Sequence, residues 1–261
     1  MKKTVSFFLA LALVAAALAL FASCGKTDKA VTVGYTIYEP MNYFDENNKL
    51  VGFDTELAEK VFGALGYQVV FKEIKWENKY TDLASGNIDC VWNGFTANSA
   101  DDDGVQRSEK VDFSYYYMEN RQVVVVKNGA SEDLKGKVGC AEAGSAGETF
   151  AAEIEGATIK SVTKQTDALL EVNTGSADFA VLDAQLAKSY CGKGDYASLK
   201  IAESLSGDVE YYAIGFKKGS DLTAKVNGEL EKLAADGTIK ALGEKYGVEN
   251  TVITDFADQK K

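Results

Sequence analysis

Two periods alternate along the chain. Short apolar runs rich in β-branched residues occur at Val31-Thr32-Val33-Gly34, at 69–71, at Ile88-Asp89-Cys90-Val91-Trp92, across 122–127 with its four consecutive valines, at Val138-Gly139-Cys140, at Phe179-Ala180-Val181-Leu182 and across 211–217. Their length and composition predict strands. Between and after them, apolar residues recur every three or four positions: Leu57, Val61 and Leu65, then Leu222, Val226, Leu230 and Leu233, then Ile239, Leu242 and Tyr246. That spacing gives each segment one apolar stripe and predicts helices. Asp54 is placed to cap the first of these, Gly66 to end it, and Gly247 to end the last. Shorter helices are expected over 79–85, stopping at Gly86, over 167–173, and after Asp183. Strands alternating with helices predict an α/β fold.

The elements fall into two sets. The set between 122–127 and 211–217 is complete in itself, so it reads as a second lobe inserted into the first, with the chain crossing near 119–127 and again near 210–218. Two crossings make a hinge. The expected division is 31–121 for the first part of lobe one, 122–212 for lobe two, and 213–261 for the return segment and C-terminal helices of lobe one. Ahead of this body, Lys2 and Lys3 precede an apolar stretch over 5–22, and small residues Ala22 and Ser23 stand before Cys24. Residues 1–23 therefore read as a signal peptide. A membrane-spanning anchor is the alternative, because the stretch is long enough to cross a bilayer. It ends, however, in small residues and a cysteine rather than a basic flank. Residues 24–30 are polar and read as a leash.

Composition removes several classes of function. The chain has 261 residues, 39 Asp+Glu against 28 Lys+Arg, four cysteines and no histidine. Without imidazole, neither a Ser-His-Asp triad nor a Cys-His pair nor the usual His-bearing metal sites can be assembled. A formal charge of -11 repels a phosphate backbone, so nucleic acid is not an expected partner. Cys90, Cys140 and Cys191 are an odd set without a CxxC spacing, so at least one is unpaired or paired between molecules, and Cys90 and Cys140, in apolar strand-like runs, read as small buried hydrophobes. The Asp101-Asp102-Asp103-Gly104 run lacks the alternating ligand spacing of a calcium loop. No metal and no cofactor are expected.

Six motifs occur in order: Gly52-Phe53-Asp54-x-x-Leu57, Gly86-Asn87-Ile88-Asp89, Gly94-Phe95-Thr96, Arg107-x-x-x-Val111-Asp112-Phe113-Ser114, Leu134-Lys135-Gly136-Lys137-Val138-Gly139 and Asp236-Gly237-Thr238-Ile239. Together they resemble the polar amino-acid family of extracellular solute-binding proteins, the receptors of amino-acid ABC importers. The resemblance implies a two-lobed periplasmic-binding-protein-like fold of type II, with the ligand in the interlobe cleft and two hinge strands. It also implies a receptor rather than an enzyme, working as a monomer that binds a free polar amino acid and delivers it to an ABC transporter permease.

The site residues follow from the same resemblance. Arg107 is expected to grip the ligand carboxylate, since a guanidinium pairs with both oxygens. Ser145 and Ala146, in a Gly-rich turn before a helix, would complete that grip through backbone N–H groups. Asp183 is the expected partner of the ammonium group, with a helix cap as its alternative role, and Thr96 and Gly94 would accept the remaining protons. Asn93 belongs to the same stretch. Tyr38 and Trp76 are expected to sandwich the ligand side chain, although ordinary core packing suits Trp76 equally. Residues 99–106 lengthen the loop before Arg107, and aspartates in it are positioned to compete for the guanidinium. The family's usual early aspartate is absent from Tyr35-Thr36-Ile37, leaving Glu39 or Glu142 as substitutes. Finally, Phe21-Ala22-Ser23-Cys24 resembles a bacterial lipobox, which would place a lipid on Cys24 and hold the protein to the membrane of the cell envelope by that lipid alone. The alternatives are an extracellular amino-acid sensor domain and a dehydratase-like enzyme on the same fold.

Overall fold

The computed structural model describes residues 29–260. The expected signal peptide, Cys24 and most of the 24–30 leash lie outside the described residues. The chain begins with β1 (Lys29–Tyr35), a small hairpin of β2 (Tyr43–Phe44) and β3 (Leu50–Val51), α1 (Phe53–Ala64), β4 (Tyr67–Glu73), α2 (Lys79–Ser85), β5 (Cys90–Val91), α3 (Arg107–Lys110), β6 (Asp112–Phe113) and β7 (Met118–Asn120). It continues through β8 (Gln122–Lys127), β9 (Val138–Glu142), α4 (Ala146–Ala152), β10 (Thr158–Val162), α5 (Gln165–Thr174), β11 (Phe179–Asp183), α6 (Ala184–Tyr190) and β12 (Leu199–Ser206). It returns through β13 (Glu210–Tyr212), β14 (Gly215–Phe216), α7 (Asp221–Ala235) and α8 (Thr238–Tyr246).

These elements build two five-stranded sheets, ordered β4-β1-β5-β14-β6 and β10-β9-β11-β8-β12. In each sheet three parallel strands lie side by side, and the next strand runs antiparallel to them. That antiparallel strand, β14 or β8, is where the chain enters from the crossing. The crossing itself is a two-stranded ribbon in which Glu210 pairs with Asn120 and Tyr212 with Met118. The valine run of β8 sits between β11 and β12, with Val123 and Val125 packing toward Ala168, Leu169 and Val172 of α5, and Val124 and Val126 toward Ala151 of α4 and Ala202. Both faces are covered, which is why no polar residue interrupts the run. In the first lobe, Phe53, Leu57 and Val61 of α1 close against Val226 and Leu230 of α7 and Ile239 and Leu242 of α8.

Three local expectations change. Asp54 does not cap α1. The cap position is Gly52, at φ 132, where an added Cβ would lie 2.0 Å from the Met41 carbonyl oxygen. Asp54 instead turns inward, accepting from Gly94 N–H at 3.1 Å and Tyr117 Oη–H at 3.0 Å, and burial raises its carboxyl to about 7. The expected strand over 211–217 is divided, because Glu210–Tyr212 belongs to the crossing ribbon and Gly215–Phe216 to the first sheet. The strand expected over 88–92 keeps only Cys90–Val91 in regular pairing. The three cysteines of the described residues are free. Among the described residues no helix is long and apolar enough to cross a membrane.

Candidate ligand-binding cleft

A small, tightly closed cavity lies between the two sheets, lined by Trp76, Asn93, Gly94, Thr96, Arg107, Glu142, Ser145, Ala146, Gln165 and Asp183. The structure thus brings together eight of the nine expected site residues. The exception is Tyr38, which is buried behind the cleft wall, its hydroxyl 2.7 Å from that of Tyr212. No two-sided aromatic sandwich forms.

The first lobe contributes the loop that leaves β5. Gly94 is in the left-handed region at φ 57, and a Cβ there would strike the Tyr38 ring at 2.7 Å. This glycine lets the chain pass over two packed tyrosines. Asn93 is committed to the loop, donating to the Thr36 carbonyl at 2.9 Å and Asn42 Oδ1 at 2.7 Å. Trp76 sits edge-on to Phe95 with ring centroids 5.2 Å apart. Arg107 opens α3 and is 1% exposed. It donates through Nε to Asp101 at 2.8 Å, through one terminal nitrogen to the Thr96 carbonyl at 3.2 Å, and through the other to the Gly144 carbonyl at 3.4 Å.

Asp101 lies in the lengthened loop and also accepts from Lys110 Nζ at 2.8 Å and Tyr80 Oη–H at 2.6 Å. Burial alone would raise its carboxyl, but Arg107, Lys110 and Tyr80 hold it at about 2. The aspartate therefore fixes the guanidinium rather than removing it from the cleft. A guanidinium has five N–H donors, and three are engaged here, so two remain for a ligand.

Sequence reasoning missed Lys79. A lysine at a helix start normally faces water, yet this one is 2% exposed. Its ammonium lies 5.1 Å from the Trp76 ring and 4.6 Å from the Tyr80 ring, and it donates to the Gly144 carbonyl of the second lobe at 2.9 Å. Burial, and after it the charge of Arg107, lowers its pKa to about 7.

The second lobe presents acids and amides. Asp183 ends β11, and its side chain makes no cap bond to α6. Its carboxylate accepts from Asn120 at 2.6 Å, Gln122 at 2.7 Å and Gln165 at 2.5 Å. Burial raises its pKa against those bonds. Glu210 of the crossing ribbon accepts from Gln122 at 2.8 Å, Asn120 at 3.1 Å and the Thr96 hydroxyl at 3.2 Å. Burial and the Asp183 charge raise it to about 7. Glu142 ends β9, is 2% exposed, and its Oε1 has no partner. Burial, then Asp183, pushes it to about 8. Glu39 does not reach the cavity.

Ser145 differs from expectation in detail. Its hydroxyl caps α4 by accepting from Glu148 N–H at 3.0 Å, and its own N–H donates to the Glu142 carbonyl at 3.1 Å. The Ser-x-x-Glu pattern is only half of a capping box, because Glu148 accepts from Gly144 N–H at 2.7 Å and not from the N–H of Ser145. The N–H of Ala146, in the first turn, has no intrahelical acceptor.

Residues 31–249 match the family described as bacterial extracellular solute-binding proteins, family 3. The chain is 30% identical over 229 residues to the L-cystine-binding protein TcyA of Bacillus subtilis (strain 168), covering 85% of this chain and 82% of the relative. Among solved structures it resembles an ancestral arginine-binding protein bound to arginine, at 34% identity and TM-score 0.75, covering 83% of this chain and 97% of that one. It also resembles the ancestral amino acid-binding protein AncCDT-1, a precursor of cyclohexadienyl dehydratase, at 28% identity and TM-score 0.73, covering 83% of this chain and 95% of that one.

Proposed function

The chain belongs to the bacterial extracellular solute-binding proteins, family 3, and we propose that it is the substrate-binding lipoprotein of an amino-acid ABC importer, capturing a polar L-amino acid in a closing cleft and delivering it to a membrane permease. One observation carries the reading. A buried arginine with two uncommitted donors and a buried carboxylate, Asp183, face one small cavity from opposite lobes. A zwitterion has the charges to bridge them, and a closed cleft that excludes water requires both charges to be met. Arg107 takes the ligand carboxylate with help from Ala146 N–H. Asp183, with Thr96 and Gly94, takes the ammonium group. Trp76 borders the ligand side chain.

Because the partners sit on two lobes between which the chain crosses through β7 and β13, ligand contact and lobe closure are one event. Closure draws its free energy from contacts the open form lacks. The closed shape is what the permease reads, and no chemical step is needed. The protein acts as a monomer, held at the membrane face by lipid on Cys24.

Native mass spectrometry of freshly purified protein, followed by calorimetric titration with the common amino acids and cystine, tests the central claim. A saturable, stoichiometric ligand recovered unchanged is the expected result. The likeness to AncCDT-1 favours turnover as a second reading, and steady release of a product would establish it instead. For the anchor, Cys24→Ser is expected to release the protein from membranes, and unchanged partitioning would refute lipidation.

A further inference from the structure

Resting on the amino-acid-binding reading, we infer that Glu142 selects the ligand side chain and that the amino acid admitted carries a cationic, N–H-donating side chain. The acids around the cleft differ in one respect. Asp101, Asp183 and Glu210 each accept from three donors of the protein itself. Glu142 is buried, lines the cavity together with Asp183, and its Oε1 accepts from nothing. A buried carboxylate oxygen without a donor is costly, and a group that enters the cavity is positioned to supply one.

The charges facing the site point the same way. Arg107 is matched by Asp101, and a zwitterion adds no net charge. Three carboxyls, Asp183, Glu210 and Glu142, then crowd together beside one ammonium, Lys79, and burial with their mutual repulsion favours protons on them. Lys79, reaching across from α2, donates to the Gly144 carbonyl at 2.9 Å and makes no hydrogen bond to Glu142, although its charge partly offsets the burial of that carboxyl. The other groups near Glu142 are Asp183 of β11 and Gln165 and Asp167 of α5, of which both charged members are acids. A neutral side chain leaves Glu142 its proton, whereas a guanidinium or ammonium favours the ionised carboxylate and meets Oε1.

The geometry has a proton-linked consequence. Burial and Asp183 hold the Glu142 proton up to about 8. A cationic ligand must displace this proton, so its affinity rises from pH 6 toward pH 8 by up to about tenfold per unit for one linked proton.

The test is calorimetric titration of the full soluble protein with L-arginine, L-lysine, L-glutamine and L-citrulline, the last an uncharged isostere of arginine. It is run from pH 6 to 8.5 in buffers of different ionisation heat. Arginine or lysine is expected to bind at least about tenfold more tightly than the neutral pair, with proton release below pH 8. Glu142→Gln is expected to erase that preference while leaving the neutral ligands within about threefold, since only the charge contact is removed. A parent protein that binds the neutral pair as tightly as the cations, or a variant that keeps the full cationic preference, overturns the assignment of Glu142 while leaving amino-acid binding intact. Failure of the parent to bind any amino acid overturns both, and the parent's selectivity and proton count stand whether or not the variant folds.

Discussion

The two lobes are built on one plan and do opposite chemistry. Each has a sheet of three parallel strands followed by an antiparallel strand that enters from the crossing, and in both the cleft residues stand at strand ends or in the turns that follow. The first lobe presents cations and rings: Arg107, Lys79 and Trp76. The second presents acids and amides: Glu142, Asp183, Gln122 and Gln165. Backbone architecture therefore supplies the positions, and the side chains at equivalent ends supply the polarity. The lobes already touch through polar contacts, with the Gly144 carbonyl accepting from both Lys79 and Arg107, so a ligand adds to an attraction that exists between them.

Removing the cationic side breaks this comparison most severely. Arg107→Ala is expected to weaken amino-acid binding by about 2–5 kcal/mol, since the ligand carboxylate is left unpaired in a closed cleft. It also strands part of the Asp101 network, so denaturant unfolding should reveal a loss on the order of 3 kcal/mol. The buried pairing with Asp101 thus makes Arg107 structural as well as cavity-lining. A variant that titrates like the parent would remove Arg107 from the site.

Removing the acidic side has the next largest effect. Asp183→Ala deletes the acceptor of three amide donors and is expected to cost roughly 2–3 kcal/mol in affinity. Small-angle scattering should show the parent contracting with its amino acid and the variant failing to contract. A ligand that binds tightly and leaves the parent's scattering unchanged would argue against closure about the ribbon of β7 and β13.

The smallest effect sharpens the comparison through pH. Glu142 at about 8, and Asp54 and Glu210 at about 7, hold protons that carboxyls of an unfolded chain have lost. The folded state therefore binds more protons between about pH 4.5 and 7, and stability is fully present below that window and falls as pH rises through it. Lys79, at about 7, acts in the opposite sense only above neutrality, where the folded state gives up its proton first. The thermal midpoint of the ligand-free protein should fall from pH 5 to 7, and Glu142→Gln should make the fall shallower. A midpoint that rises over this range would contradict the raised carboxyls of the second lobe and the crossing.

How far the site was legible depended on how local each signal was. Helix stops at Gly66, Gly86 and Gly247 and the valine run of β8 follow from period and turn chemistry within a few residues. Arg107 is reached through the family resemblance, by its place four residues before Val111-Asp112-Phe113-Ser114, and the approach of a loop aspartate to it was readable from the loop's length. Lys79 gave no sign, because a lysine in a first helical turn is ordinarily solvated. Its burial comes from Trp76, Tyr80 and Phe95 closing around the stem and from Gly144 arriving from the other lobe. Tyr38 misled for the complementary reason, since proximity to the cleft in sequence does not say whether a ring stands in front of Gly94 or behind it.

The sequence by itself determined the alternation of strands and helices, the inserted second lobe, the exclusion of histidine chemistry and the family to which the chain belongs. The first three are carried by periodicity and composition and the last by the resemblance of six short motifs to a known family, and all of these survive without knowledge of what packs against what. Only the tertiary structure decided that Asp54 turns inward instead of capping a helix, that Asp101 orients Arg107, that Asp183 is held by three amides, and that Glu142, at the cavity, is left with a buried oxygen that has no partner. Each of those outcomes is a choice of hydrogen-bond partner among residues far apart in the chain, and it is settled by burial and distance, which no local pattern encodes.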